Sequence, residues 1–158
     1  MSQQTDDAAL NELKSLVDGF FQAVSFEVGG APCFGRIHDL FIDAGLLIKN
    51  SGATPEIANV HQFIEPRQAS VNAGELIRFD EAELSASSEV FGNVAHRCSG
   101  YVKSGTLKGV PFEIKGLISM QFVLTPAGWK MSSMAWDDER PGLKLPDKYE
   151  ATGLGAAQ

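Results

Sequence analysis

This sequence of 158 residues has no long apolar run and no excess of basic residues, and each absence excludes a class of partner. A membrane-spanning helix needs roughly 18 consecutive apolar residues, and no segment comes close to that length, so we predict no membrane partner. Lys and Arg together number 13 against 20 Asp and Glu, which gives a net charge of -7. Because an acidic surface repels phosphate backbones, we also predict that nucleic acid is not a partner.

Paired cysteines and metal-binding motifs are also absent. The sequence holds two cysteines, Cys33 and Cys98, which lie far apart and lack metal-ligand spacing. The start of the chain, Met1–Asp7, is polar and acidic, unlike a signal peptide. We therefore predict a cytoplasmic location, with both cysteines as reduced thiols in packed positions. No His-Glu-x-x-His spacing, glycine-rich phosphate loop or nucleophile motif occurs, so we predict no metal, no cofactor and no covalent mechanism.

What the sequence does contain is a run of four predicted strands in its second half. Alternating and apolar residues mark these strands as Leu76–Val90, Val94–Lys103, Phe112–Leu124 and Trp129–Asp137. The breaks between them are Phe91-Gly92-Asn93, Ser104–Pro111 and Thr125–Gly128, all rich in residues that let a chain reverse. The pattern predicts a long antiparallel meander.

The first half predicts helices that cover one face of this meander. An apolar stripe at helical spacing predicts a helix from about Thr5 to Phe26. Short helical turns at Arg36–Phe41 and a short strand at Gly45–Lys49 follow. A second helix is predicted to begin at Thr54-Pro55-Glu56, since Thr caps helices and Pro suits the first helical position, with Pro66 ending or kinking it. The fold class is therefore α+β, with one domain over residues 1–140 and an extended or disordered tail over residues 141–158.

Alternation along the strands predicts which charged residues face the helices. A tight turn at Gly92-Asn93 pairs Leu84 with Tyr101. The alternation of side chains then puts Arg97 and Ser99 on the same, more apolar face as Tyr101. The register of the last hairpin puts Asp137 on this face as well. Glu81, Glu83 and Glu89 fall on the opposite face, where we predict that they are solvated. A buried charge needs a partner, which leaves two interpretations of Arg97 open. Either it binds an anionic or carbonyl oxygen of a ligand, or Arg97 and Asp137 pair with each other or with a helix residue and only hold the sheet together.

The opposite face of the last hairpin is too apolar for free solvent. Its residues are Leu117, Ser119, Gln121, Val123, Ser132, Met134 and Trp136. Because exposed apolar patches mark interaction surfaces, we predict a homodimer formed through the outer face of the sheet.

The order of these elements resembles the nuclear transport factor two-like (cystatin-like) superfamily, and locally its SnoaL-like bacterial branch. The resemblance rests on Phe91–Tyr101, Gly116, Phe122–Ser133 and Trp136–Glu139. It implies a curved antiparallel sheet wrapped around the N-terminal helices as a cone with an internal pocket, and dimers formed through the outer sheet face. Members include isomerases, dehydratases, cyclases and catalytically silent binding proteins, so the fold does not select the reaction.

Within this resemblance, the predicted function is a pocket for a small hydrophobic ligand, with cofactor-free acid–base catalysis if it is an enzyme. Asp39 would be the base if it faces the cone, while Tyr101 and Arg97 would stabilise developing oxygen charge. The further ligand-binding candidates are Ser99, His38, His61 and Asp137. Three of the candidates have a structural alternative: Asp39 caps or hydrogen-bonds a neighbouring turn, His61 is exposed or has its hydrogen bonds satisfied, and Tyr101 is a core residue whose hydroxyl bonds to an Asp or the backbone. The alternative function is a non-catalytic homodimeric ligand-binding or structural module.

Overall fold

The computed structural model describes residues 3–151 and confirms the α+β fold. Its helices are α1 (Gln3–Val24), α2 (Val60–Asn72) and the short α3 (Asp147–Glu150), with a 3₁₀ helix at Phe34–Asp39. Its strands are β1 (Phe41–Lys49), β2 (Glu56–Ala58), β3 (Leu76–Phe91), β4 (Val94–Leu107), β5 (Val110–Thr125) and β6 (Gly128–Asp138). They form one sheet in the order β2-β1-β6-β5-β4-β3, antiparallel except for the parallel β1–β6 pair.

The helix α1 packs its apolar stripe against one face of this unclosed sheet. Leu13 and Val17 of the helix are fully buried, in one core with Tyr101, Met120 and Met131 of the strands. The predicted meander is confirmed, but the loop predicted over Ser104–Pro111 is much shorter. Both strands continue to a turn at Lys108 and Gly109, whose positive φ angles of 50° and 80° suit a tight hairpin. Within residues 3–151, no helix has the length and apolar character that crossing a membrane requires.

The second helix begins later than the sequence predicted. Glu56–Ala58 is a strand paired with β1, and Asn59 caps α2 instead of Thr54. The Asn59 side chain accepts a hydrogen bond from the Gln62 backbone at 2.8 Å, and the Gln62 side chain accepts one from the Asn59 backbone at 2.9 Å. This reciprocal pair is the capping box. The helix then continues through Pro66 to Asn72, so Pro66 does not end it.

A β-bulge in β3 corrects the predicted face of its acidic residues. The predicted register holds from the turn back to Ala86, which pairs with Ser99, but Tyr101 then pairs with Glu83 instead of Leu84. Because one extra residue reverses the alternation of side chains, Glu83 and Glu81 face inward and Ala82 faces outward. The prediction that Glu81 and Glu83 are solvated outer residues is therefore wrong.

A second irregularity, between β5 and β6, has the same effect at the end of the sheet. Phe122 pairs with Met131 as predicted, but the register then shifts so that Gly116 pairs with Asp138. Met134 and Trp136 consequently lie on the inner face, where Met134 is fully buried, and not on the predicted outer surface. Asp137 is replaced by its neighbour Asp138 as the inward carboxylate.

The segment after β6 packs against the outer face of β3 and β4 as far as residue 151. Leu145 and Tyr149 are buried there, and the Tyr149 hydroxyl hydrogen-bonds to Ser87 at 3.0 Å. The Leu145 N–H donates to Glu139 at 2.7 Å. Residues 141–151 thus differ from the predicted extended or disordered tail, while residues 152–158 lie outside the described part of the chain.

Candidate functional site

A cavity of about 570 Å³ lies between the helices and the inner face of the sheet. Its size is within the range of small-molecule sites, and most of its wall is apolar. The apolar and aromatic lining comes from Phe20, Val24, Phe34, Phe63, Pro66, Leu76, Phe79, Leu107, Val110, Phe112, Ile114, Ile118 and Trp136. Five charged side chains also line it, and they are Lys49, Arg67, Glu81, Lys103 and Asp138.

Glu81 is a carboxylate without a direct partner in this apolar wall. Its backbone N–H is fixed by the Ser25 hydroxyl at 3.0 Å, which orients β3 toward the end of α1. In the part of the chain that the structure describes, no hydrogen bond or ion pair reaches its carboxylate. Burial raises the pKa of Glu81 to about 7, with nearby Asp138 adding to the rise and Lys103 opposing it. Glu81 is thus able to exchange a proton near neutral pH.

Asp138, by contrast, is held by two donors. The Tyr101 hydroxyl donates to Asp138 Oδ1 at 2.5 Å and to the Asp137 carbonyl at 3.1 Å, while Lys103 Nζ lies 3.0 Å from the same Oδ1. Burial, together with the hydrogen bond to Asp138, raises the pKa of Tyr101 far above its ordinary value, so it stays a donor. Gly116 makes this arrangement possible, since a Cβ there would overlap the Tyr101 hydroxyl.

Another part of the wall combines two aromatic rings with two cations. Phe63 and Trp136 meet edge to face with their centroids 6.0 Å apart. The Arg67 guanidinium lies 3.7 Å from the Phe63 centroid and donates to the Phe63 carbonyl at 3.0 Å. Lys49 is the neighbour of Trp136 in the β1–β6 register, and both residues line the cavity.

Arg97 forms a closed ion pair, although not with the residue that the sequence predicted. Its Nε and Nη2 donate to the two carboxylate oxygens of Glu83 at 2.9 and 2.7 Å, and Nη1 donates to Ser88 at 2.9 Å. The Ser99 hydroxyl donates to Glu83 at 2.6 Å. Burial alone would raise the pKa of Glu83, but the bonds from Arg97 and Ser99 hold it below its ordinary value. The cluster borders a second, more open groove between α1 and β3 and not the 570 Å³ cavity.

The remaining predicted site residues lie outside the cavity. His38 and Asp39 are exposed on the 3₁₀ helix and do not line the cavity, so the Asp39 carboxylate does not face the cone. The Asp39 backbone carbonyl accepts a hydrogen bond from Lys130 at 2.6 Å. His61 is exposed and pairs with Glu65 at 2.9 Å. Asp137 pairs with Arg140 at 2.6 Å, away from Arg97.

Sequence reasoning therefore missed Glu81, Lys103 and Asp138. A signal existed in β3, because Glu81 lies two residues after the apolar Phe79 and therefore faces the same side of the strand. The sequence did not reveal the bulge that turns this side inward. The cysteines are both free thiols, and Cys33 is exposed and not packed as predicted. Among the residues from Gln3 to Ala151, no three His, Cys, Asp or Glu side chains are arranged to hold a metal ion.

Comparison with known proteins identifies the fold. No family model and no curated protein matches the sequence. Solved structures do match, including a nuclear transport factor 2-like superfamily protein from Salmonella enterica, with a TM-score of 0.70, 12% identity and coverage of 89% of this chain and 96% of that one. An uncharacterised protein with a cystatin-like fold from Caulobacter vibrioides has a TM-score of 0.66 and 11% identity, covering 85% and 92% of the two chains.

A protein from Streptomyces avermitilis, proposed to be a dehydratase of the nuclear transport factor 2-like family, has a TM-score of 0.64 and 16% identity. The match covers 85% of this chain and 98% of that one. At these identities the similarity shows the fold. The chain has the nuclear transport factor two-like, or cystatin-like, fold, as its resemblance implied.

Proposed function

Starting from this fold and its charged cavity, we propose that the protein binds a small hydrophobic molecule and catalyses a cofactor-free proton transfer on it. The observation that carries the proposal is Glu81, a carboxylate in a mainly apolar wall to which no described residue donates, and whose pKa burial raises to about 7. A general acid–base group works best when its pKa lies near the operating pH. Glu81 takes the role that the sequence assigned to Asp39.

The neighbouring groups suit a reaction that develops negative charge on an oxygen. Glu81 would remove a proton from a carbon next to a carbonyl group and return it to another atom of the same molecule. Lys103 has three N–H donors, one of which is directed at Asp138, so the others are able to stabilise the oxygen of an enolate. Tyr101 and Asp138 would hold Lys103 in place without touching the substrate. Isomerisation, dehydration and cyclisation all use this step.

The alternative proposal is a non-catalytic protein that binds the same class of ligand. The apolar lining favours binding, and the carboxylate with a raised pKa favours catalysis, because a binding site has no need of an ionisable group without a direct partner. The dehydratase proposed for the similar structure from Streptomyces avermitilis also supports the catalytic reading.

Hydrogen–deuterium exchange tests the catalytic proposal directly. A panel of apolar cyclic ketones would be incubated with the protein in D₂O, and loss of the protons next to the carbonyl group would be followed by NMR. We expect exchange to accelerate as the pH rises through about 7, where Glu81 becomes ionised, and Glu81→Gln to slow it at least about 100-fold.

The matched control is Glu89→Gln, which changes an exposed carboxylate on the same strand that pairs with His96. It should leave exchange unchanged. If Glu81→Gln exchanges protons as fast as the unaltered protein, Glu81 is not the base. Ketones that bind without exchange would support the non-catalytic alternative.

A further inference from the structure

The side chains on the cavity wall carry a net positive charge, opposite in sign to the net charge of the whole protein. The chain carries a net charge of -7, yet three cations line the cavity beside two carboxylates. Lys103 and Asp138 neutralise each other at 3.0 Å. Lys49 and Arg67 remain as positive charges, and Glu81 is the other carboxylate on the wall.

Within the described residues, neither of these two cations forms an ion pair, although Glu56 and Glu81 lie near enough to Arg67 to raise its pKa in part. Lys49 pairs in register with Glu56 of β2, but Glu56 is exposed and no ion pair joins the two side chains across the described residues. Arg67 donates to a neutral carbonyl of its own helix and stacks on Phe63. Burial lowers the pKa of Arg67, which indicates that its charge lies in a poorly solvated place, although it stays a cation at neutral pH.

The two cations flank an aromatic surface. Arg67 stacks on Phe63, Phe63 meets Trp136 at 6.0 Å, and Lys49 is the register neighbour of Trp136. A flat apolar body placed against these rings would bring a substituent within reach of a guanidinium or an ammonium group. Planar guanidinium groups favour carboxylates and similar oxyanions, with which they form paired hydrogen bonds.

We propose that the ligand of this cavity is a cyclic or aromatic molecule with an anionic oxygen group, held by Lys49 and Arg67 on the Phe63–Trp136 side. This inference deepens the proposed function and rests on its ligand cavity. It separates two roles on the cavity wall: Lys49 and Arg67 bind the anionic end, and Glu81 with Lys103 acts on the other end.

Two fluorescent probes of nearly the same shape test this proposal. 8-Anilinonaphthalene-1-sulfonate carries one negative charge, and N-phenyl-1-naphthylamine has the same aromatic skeleton without it. We expect the unaltered protein to bind the sulfonate at least about tenfold more tightly, the effect of one hydrogen bond to a charged group. Added salt should reduce this preference.

Lys49→Met and Arg67→Met should each reduce sulfonate affinity about tenfold and leave binding of the neutral probe unchanged. Arg67→Lys, which keeps the charge, should retain much of the preference. The control Lys144→Met removes the same charge from an exposed position outside the cavity and should change neither affinity.

The outcomes distinguish this inference from the function on which it rests. If the neutral probe binds but the protein shows no preference for the sulfonate, the proposal of an anionic ligand is wrong and the ligand cavity is still supported. The same conclusion holds if the preference survives in Lys49→Met and Arg67→Met. If neither probe binds, the proposed ligand cavity itself is wrong. Equal losses in Lys144→Met would attribute the preference to net charge and overturn the proposal.

Discussion

Glu81 and Glu83 show how position decides the chemistry of one residue type. They are two residues apart on β3 and face the same side of the sheet. Glu83 receives hydrogen bonds from Arg97 and Ser99, so its ionised form is favoured. Glu81 receives none from the described residues, so its neutral form is favoured. One carboxylate is structural, and the other is available for proton transfer.

At this scale we predict that Glu81→Gln stabilises the protein above neutral pH. Folding raises the pKa of Glu81 from 4.5 to about 7, so the folded state holds the proton more tightly than the unfolded state. Stability from this group therefore falls as pH rises between those values, by up to about 3 kcal/mol. Urea unfolding should show Glu81→Gln to be more stable by about 2 kcal/mol at about pH 8, and no advantage at about pH 4.

The opposite sign is expected for Glu83→Gln, which serves as the matched control. Its folded pKa is lowered, so Glu83 stabilises the fold above its unfolded pKa, and this stability is lost as pH falls. The variant leaves the Arg97 charge without a carboxylate partner and should cost about 3 kcal/mol at neutral pH. Equal effects of the two substitutions would contradict the different environments described above.

At the scale of elements, two register shifts and one terminal segment determine what each surface carries. The shift in β3 turns Glu81 inward, and the shift in β6 turns Asp138 inward. The segment ending in α3 covers the outer side of β3 and β4. Gly100 allows this close packing, because a Cβ at that position would overlap the Tyr149 carbonyl oxygen.

We therefore predict that Gly100→Ala detaches the segment around Leu145 and Tyr149. Insertion of a methyl group into a packed contact typically costs about 1–3 kcal/mol. We expect this cost to exceed the free energy that holds so short a terminal segment against the sheet. Limited trypsin digestion should cut at Lys144 and Lys148 faster in this variant, while the rest of the chain stays resistant. Gly52→Ala, where a Cβ meets no atom within 4 Å, is the control. Unchanged cleavage in Gly100→Ala would show that the segment is not fixed at this contact.

At the scale of the whole molecule, we propose that a second copy packs on the outer face of the sheet. Part of it is covered by Leu145 and Tyr149, but β1 and β2 leave Leu46 and Ile57 exposed, the latter at 62%. The predicted dimer surface loses Met134 and Trp136 to the inner face but keeps Leu117 and Val123, and Leu46 and Ile57 extend it. The free part of the surface therefore lies on the β2–β1–β6 side of the sheet.

We predict a homodimer that Ile57→Glu disrupts, because a charge at an apolar interface loses its hydration. Val28→Glu introduces the same charge at a similarly exposed apolar residue, 67% accessible, in the turn after α1. This turn follows the bridge from Phe26 to β3, which is the edge of the sheet opposite β2. Sedimentation equilibrium should give a dimer for the unaltered protein and for Val28→Glu, and a monomer for Ile57→Glu. A monomeric unaltered protein would overturn this prediction.

The sequence by itself determined the class of fold and the order of its main elements. Helical spacing in α1 and the turn residues around Gly92-Asn93 are local signals, which can be read from a short stretch of sequence without the rest of the molecule. Even the pairing of Ser88 with Arg97 followed from a two-residue turn. The cap at Asn59 was also local, but the stronger pattern at Thr54-Pro55 concealed it.

The site was decided by tertiary structure, because a single bulge reverses the face of every residue beyond it. Alternation counted from the turns predicted Leu84 and Asp137 as inward residues. The register shift in β3 instead turns Glu81 and Glu83 inward, and the shift between β5 and β6 turns Asp138 inward. The position of Asp39 likewise depends on how the 3₁₀ helix packs, and that packing leaves it exposed. Which carboxylate meets the apolar cavity is therefore a property of the folded sheet and not of the spacing of residues along the chain.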